Sequence, residues 1–111
     1  MNCLICKQNC SITTINPLVD KYECTNCHTF YVEKGFLGQL EAFETKYGKT
    51  KYQLILNEME KKSKNQIVVF VVDFEQPLVN IKDAIYLELE DLVGLAHIKT
   101  FDINSPLTYG S

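Results

Sequence analysis

Two cysteine pairs carry the clearest chemistry in this chain of 111 residues: Cys3-Leu4-Ile5-Cys6 and Cys24-Thr25-Asn26-Cys27, with 17 residues between them. Two thiolates at C-x2-C spacing reach one ion from a single tight turn, with Zn–S bonds of about 2.3 Å. Two such turns at the ends of short strands close a tetrahedral four-thiolate site. A closed site keeps no open coordination position, so its work is folding rather than catalysis. Apparent metal-binding free energies of about 10–16 kcal/mol suffice to order a segment whose own core is too small. The expectation is one structural Zn2+ per chain, held by Cys3, Cys6, Cys24 and Cys27.

Other chemistries fit parts of the same pattern. A rubredoxin-type iron site uses the same paired arrangement, because soft tetrahedral sites accept both metals. Cys24-Thr25-Asn26-Cys27-His28 matches the haem-attachment pattern C-x-x-C-H but leaves the first pair unused. A disulfide framework suits neither five cysteines nor a start, MNCLICKQNC, without a basic-then-apolar leader. The expected compartment is the cytoplasm. Cys10 is left over and reads as a small hydrophobe or an inert thiol. Its functional alternatives are a substitute ligand or a reactive thiol near the metal; an iron–sulfur cluster using it would lack a standard spacing. His28 reads as a turn residue, or as a donor to a ligating sulfur.

On Cys3, Cys6, Cys24 and Cys27, with β-type residues between and after them, residues 1 to about 33 resemble the zinc-ribbon family. The resemblance implies two knuckles, a small antiparallel sheet and a structural zinc. It departs from the family in one respect. Family knuckles usually carry Gly after the second Cys, where φ tends to be positive, and here Lys7 and His28 stand there. An N-terminal ribbon is also similar to that of certain antitoxins with a C-terminal helix-turn-helix, but residues 67–103 read as strands, so a DNA-reading role does not carry over.

Little else assembles into a reactive constellation. There is no Gly-rich phosphate loop, no G-x-S-x-G and no H-E-x-x-H. Asp73 and Glu75 share a face at a strand end, and read as solvated. His97 stands alone. No enzyme activity is expected. Charge is uneven along the chain: residues 1–34 balance, 35–66 hold six Lys against four acids, and 67–111 hold seven acids against two Lys. All basic residues are Lys. The cluster Lys46, Lys49, Lys51, Lys61, Lys62 and Lys64 reads either as the solvated face of an amphipathic helix or as a phosphate-contact patch. Without Arg, the best bidentate phosphate and guanine ligand is missing.

Periodicity supplies the elements that must position these groups. All five cysteines precede residue 28, and the character of the chain changes near Glu33-Lys34-Gly35. This gives a ribbon at 1–34 and an α+β region at 35–111, packed as one unit. Ser11 to Ile15, Lys21 to Cys24 and Thr29 to Val32 read as strands, the first ended by Asn16-Pro17. Phe36, Leu37, Leu40, Phe43 and Tyr47 form one helical face, stopped by Gly48. Thr50 and Gln53 fit a capping box for a second helix striped by Tyr52, Ile55, Leu56 and Met59. Glu58 and Lys62 make an i,i+4 pair. A helical hairpin at 36–63 follows. Strands are then expected at about 66–74, 85–90 and 97–103. Residues 83–96 also allow a helix, because Ile85, Leu89, Leu92 and Ala96 share a helical face. The fold expected is α+β: an N-terminal zinc ribbon, a helical hairpin, then a small, mainly antiparallel three-stranded sheet.

No apolar run approaches the roughly 18–20 residues of a membrane span. The sequence therefore points to a small acidic, non-enzymatic zinc protein whose acidic C-terminal half, with Glu88, Glu90 and Asp91 as candidate contacts, docks a protein partner in a regulatory or inhibitory role. The alternative is a nucleic-acid-associated regulator contacting phosphates through Lys49, Lys51, Lys61, Lys62 and Lys64.

Overall fold

A computed structural model describes residues 1–98. Its elements run β1 (Ser11–Asn16), β2 (Val19–Cys24), β3 (His28–Glu33), α1 (Lys34–Tyr47), α2 (Lys49–Asn65), β4 (Val68–Phe70), β5 (Ile85–Leu87) and α3 (Leu89–Leu95). All five strands join one mixed sheet in the order β1-β2-β3-β4-β5.

The first three strands form an antiparallel meander. Ser11–Asn16 is β-branched and uncharged, which suits a pleated strand. Asn16 Oδ1 accepts the Leu18 N–H at 2.8 Å and turns the chain back. The register sets Tyr22 opposite Phe30, and their rings stack at 4.8 Å. Alternation then puts Tyr22, Phe30 and Val32 on the face that joins the core, with Lys21 and Tyr31 on the other.

A parallel strand needs a long crossover, and α1 with α2 supplies it between β3 and β4. β4 lies parallel to β3 with Phe30 opposite Val68 and Val32 opposite Phe70. β5 lies parallel to β4. The Phe70 ring is the centre of the packing, 5.8 Å from Phe30 and 5.3 Å from Phe36. Phe36, Leu40 and Phe43 of α1 and Ile55, Leu56 and Met59 of α2 are buried, in keeping with their helical spacing. Gly48 ends α1 and begins α2 at φ 93°, a backbone state that favours glycine.

The expected architecture is thus corrected. Helices followed by a separate, mainly antiparallel three-stranded sheet do not occur: the later strands extend the N-terminal meander, in parallel. The strand expected at 66–74 is three residues long. Beyond Val71, whose N–H still reaches Leu87 O at 2.9 Å, the Val72 N–H turns instead to the Glu33 carboxylate. The strand expected at 85–90 stops at Leu87, because Glu88 and Asp91 form a capping box that starts α3, and Leu89, Leu92 and Val93 are buried at helical spacing. His97 and Ile98, the start of the strand expected at 97–103, leave α3 in a turn, with N–H groups donating to Gly94 O and Val93 O; residues 99–103 lie outside the described residues. The Thr50–Gln53 capping box does not form. Gly48 is the N-cap of α2 without a side-chain bond, and Gln53 donates to Asn57 instead.

Candidate metal centre

Each cysteine pair sits on a tight turn of the same shape. In the first, the Lys7 N–H donates to Cys3 O at 3.1 Å and the Cys3 N–H to Gln8 O at 2.7 Å. In the second, the turn joins β2 to β3, and Cys24 pairs with His28 across the hairpin. Lys7 and His28 both have φ 67°. The residue after the second cysteine is left-handed in each knuckle, where glycine would be least strained. Lys7 anchors its turn through Nζ, which donates to Leu4 O at 2.7 Å.

The two turns bring Cys3, Cys6, Cys24 and Cys27 together, with all four sulfurs within 4.8 Å of one another. Cys6 and Cys24 are 3.5 Å apart. Cys3, Cys24 and Cys27 are buried and Cys6 is half-buried. None of the cysteines forms a disulfide. Four soft donors at these separations match a tetrahedral ion with bonds of about 2.3 Å, so the residues fit the metal that their spacing implies. Among the described residues, no other group of three or more metal-ligating side chains is gathered this way.

The electrostatics of the thiols give the same picture. Burial pushes Cys3 up to about 11, against the pull of the Cys6 and Ile5 backbone N–H groups. Burial, then the neighbouring Cys6 and Cys3, push Cys27 up as well. Cys6 is the exception. Burial raises it, but the Gln8 N–H and the surrounding thiols of Cys24, Cys27 and Cys3 outweigh burial and hold it down at about 7. Four sulfurs this close cannot all ionise on their own. A divalent cation reverses that repulsion and lets each become a thiolate ligand.

Beyond the sulfurs, α2 reaches the second knuckle. Asn26 Nδ2 lies 3.6 Å from Cys27 Sγ and donates to Glu60 Oε2 at 3.2 Å. Lys64 Nζ meets the same carboxylate oxygen at 2.9 Å. Lys64 and Asn26 hold the Glu60 carboxyl below its usual range. Lys64 is raised chiefly by its bond to Glu60, with smaller contributions from Cys27 and Cys6. Sequence reasoning missed Asn26 and Glu60 at this site and offered Lys64 only as a phosphate contact, a role its pairing with Glu60 does not match. The i,i+4 spacing of Glu60 and Lys64 was a signal; nothing local tied either to a cysteine.

Cys10 stands outside the four-sulfur group. The register that sets Ser11 opposite Glu23 carries Cys10 to the position across from Cys24, one step further. It is half-buried, and burial followed by the Cys24 charge raises its thiol.

No family model matches the chain, and neither a curated protein nor a solved structure matches it.

The remaining candidates are dispersed. Glu88 is occupied: Oε2 accepts the Phe74 N–H at 2.7 Å, and the side chain caps α3. Asp91 Oδ2 accepts the Glu88 N–H at 2.9 Å. Glu90 lies exposed in the first turn of α3. Of the lysines, Lys46 and Lys51 lie over the Tyr47 ring at 5.4 and 5.5 Å. Lys61 pairs with Glu58 at 3.2 Å, where the sequence suggested Lys62. Lys49 and Lys64 stand near opposite ends of α2, about 22 Å apart along a helix rising 1.5 Å per residue. Asp73 and Glu75 are both exposed, and Asp73 Oδ1 accepts the Glu75 N–H in a turn. His97 is exposed at φ 58°. Among the described residues, no helix is long and apolar enough to cross a membrane.

Proposed function

We propose that the chain is a non-enzymatic zinc-ribbon protein of the cytoplasm. One structural Zn2+ on Cys3, Cys6, Cys24 and Cys27 fixes the N-terminal knuckles, and the acidic C-terminal half docks a protein partner in a regulatory or inhibitory role. The observation that carries the first half is the convergence of four thiols from two matching turns, each with a left-handed residue after its second cysteine. When bound, the ion supplies charge neutralisation and a fixed cross-link. The chain's own residues do the rest: the knuckles orient the sulfurs, Asn26 sets a donor group 3.6 Å from Cys27 Sγ, and Glu60 holds that amide while pairing with Lys64.

The docking half is supported by the charge of residues 67–111 and by the position of Glu90, exposed on α3. Glu88 and Asp91 already serve the α3 cap, so Glu90 is the contact free to meet a basic surface. The nucleic-acid reading has less support, because Lys61 and Lys64 are paired with acids of their own helix. Affinity capture from the host with the wild-type chain and with Glu90→Lys tests the reading. Loss of the captured protein in Glu90→Lys, with zinc content unchanged, supports it. Salt-sensitive retention on immobilised nucleic acid that is abolished by Lys49→Glu with Lys62→Glu contradicts it.

A further inference from the structure

Between α2, β5, α3 and the chain that follows β4 lies an open groove of about 640 Å3. Its apolar wall includes Phe74 and Leu95, which are 57% and 38% exposed. Phe74 is not left there by a loose loop. Its backbone N–H donates to Glu88 Oε2 at 2.7 Å, which ties the backbone at Phe74 to the start of α3. A large aromatic held in water beside another apolar side chain is a feature of surfaces that are covered in use.

The rim is acidic. Glu90 and Asp91 line it against a single cation, Lys62. The surrounding chain reinforces this sign, since residues 67–98 hold six acids and one Lys. Gly94 forms part of the wall, and a Cβ built there meets no atom within 4 Å. The groove therefore has unfilled space beside the last turn of α3, where the backbone does not itself demand glycine.

The geometry points to one occupant: an amphipathic segment of a partner protein, with a large apolar side chain set against Phe74 and Leu95 and a Lys or Arg beside it facing Glu90. The inference rests on the docking reading above and names the partner's chemistry. Nucleic acid fits poorly, because phosphates would meet the acidic rim. The chain's own residues 99–111 hold one Lys and one Asp, so they bring no net basic complement.

The probe is a synthetic 14-residue amphipathic peptide of Leu and Lys, titrated by fluorescence anisotropy into the zinc-loaded full chain at physiological ionic strength. Two controls share its length: one with Glu in place of Lys, and one of Lys and Gly without Leu. The Leu/Lys peptide is expected to bind at least tenfold more tightly than either. Gly94→Phe fills the groove from its open wall, and Glu90→Lys reverses an exposed rim charge. Each is expected to weaken binding at least tenfold with zinc content and melting temperature unchanged. If the Lys/Gly peptide binds as well as the Leu/Lys peptide, or Gly94→Phe binds like the wild type, the attraction is diffuse charge and the groove assignment is overturned. A wild-type chain that binds none of the peptides, with metal and fold intact, also overturns it, whether residues 99–111 or another occupant fills the groove. The docking reading fails separately, when affinity capture is insensitive to Glu90→Lys; capture that Glu90→Lys abolishes and Gly94→Phe leaves intact overturns the groove alone.

Discussion

The Asn26 side-chain amide donates to Glu60 Oε2 at 3.2 Å, joining the second cysteine knuckle to the middle of the long helix across 34 residues of chain. The same amide nitrogen lies 3.6 Å from the Cys27 sulfur. One donor group therefore couples the geometry of a candidate metal ligand, Cys27, to the packing of α2. Outer partners of this type orient ligands and tune metal affinity.

Glu60→Ala should thus weaken metal retention about tenfold, read by competition with a chromophoric chelator, while the four thiols remain. Asn26→Ala should do the same. The pH dependence has a definite sign. Glu60 titrates below its usual range because Lys64 and Asn26 stabilise its charged form, so its contribution is present above the ordinary carboxylate pKa and is lost as pH falls through the depressed value. The thiolates act in the same direction, since protons compete with the metal for sulfur. Metal retention should fall on acidification, and at a higher pH in Glu60→Ala than in the wild type. Equal release curves would remove Glu60 from the site.

Glu33 is 2% exposed, yet each of its carboxylate oxygens is used. Oε1 accepts the Val72 N–H at 3.0 Å and Oε2 the Leu78 N–H at 2.9 Å. The carboxylate fixes the crossover between β4 and β5 at both points. Glu33→Ala strands two backbone donors and should destabilise the chain by about 2–4 kcal/mol, measured by urea unfolding of the metal-loaded protein. An effect below about 0.5 kcal/mol would mean that water replaces the carboxylate without loss.

The knuckle residues allow a test of backbone strain. Lys7 at φ 67° occupies a region that β-branched side chains resist. Lys7→Val should lower stability by about 1–2 kcal/mol, whereas Lys7→Gly should be near neutral, the relief of strain offsetting the added freedom of the unfolded chain and the lost bond from Nζ to Leu4 O. Thermal melting of the two variants side by side gives the order. A Val variant as stable as the Gly variant would contradict a left-handed Lys7.

Cys10→Ser should leave metal stoichiometry and melting temperature nearly unchanged, because four other thiols already converge without it. Loss of metal in this variant would show that Cys10 belongs to the ligand set.

The sequence made some of this legible. The C-x2-C pairs announced a four-sulfur site because knuckle geometry is local: two thiols on one turn need no knowledge of the rest of the fold. The apolar faces of α1 and α2 were readable for the same reason, since Phe36, Leu40 and Phe43 repeat at helical spacing. Strand pairing was not local. QIVVFVVDF looked like a long buried strand, but its length in the sheet is set by Glu33, a residue 35 positions before Val68, whose carboxylate captures Val72. The parallel placement of β4 beside β3 depends on where two helices return the chain, which periodicity does not encode. Residues 85–90 alternate like a strand, and the Glu88–Asp91 capping box decided the switch to helix within that run. Of the three acids that the charge pattern offers for docking, Glu88 and Asp91 hold the α3 cap, a pairing that net charge does not reveal.

The most direct test of the central claim is the metal content of the purified full chain by native mass spectrometry, with Cys24→Ser beside it. One zinc ion per wild-type chain is expected, and in Cys24→Ser loss of that ion together with the ordered N-terminal knuckles. A wild-type chain that carries no metal and keeps its fold, or one that carries iron or haem, would contradict it.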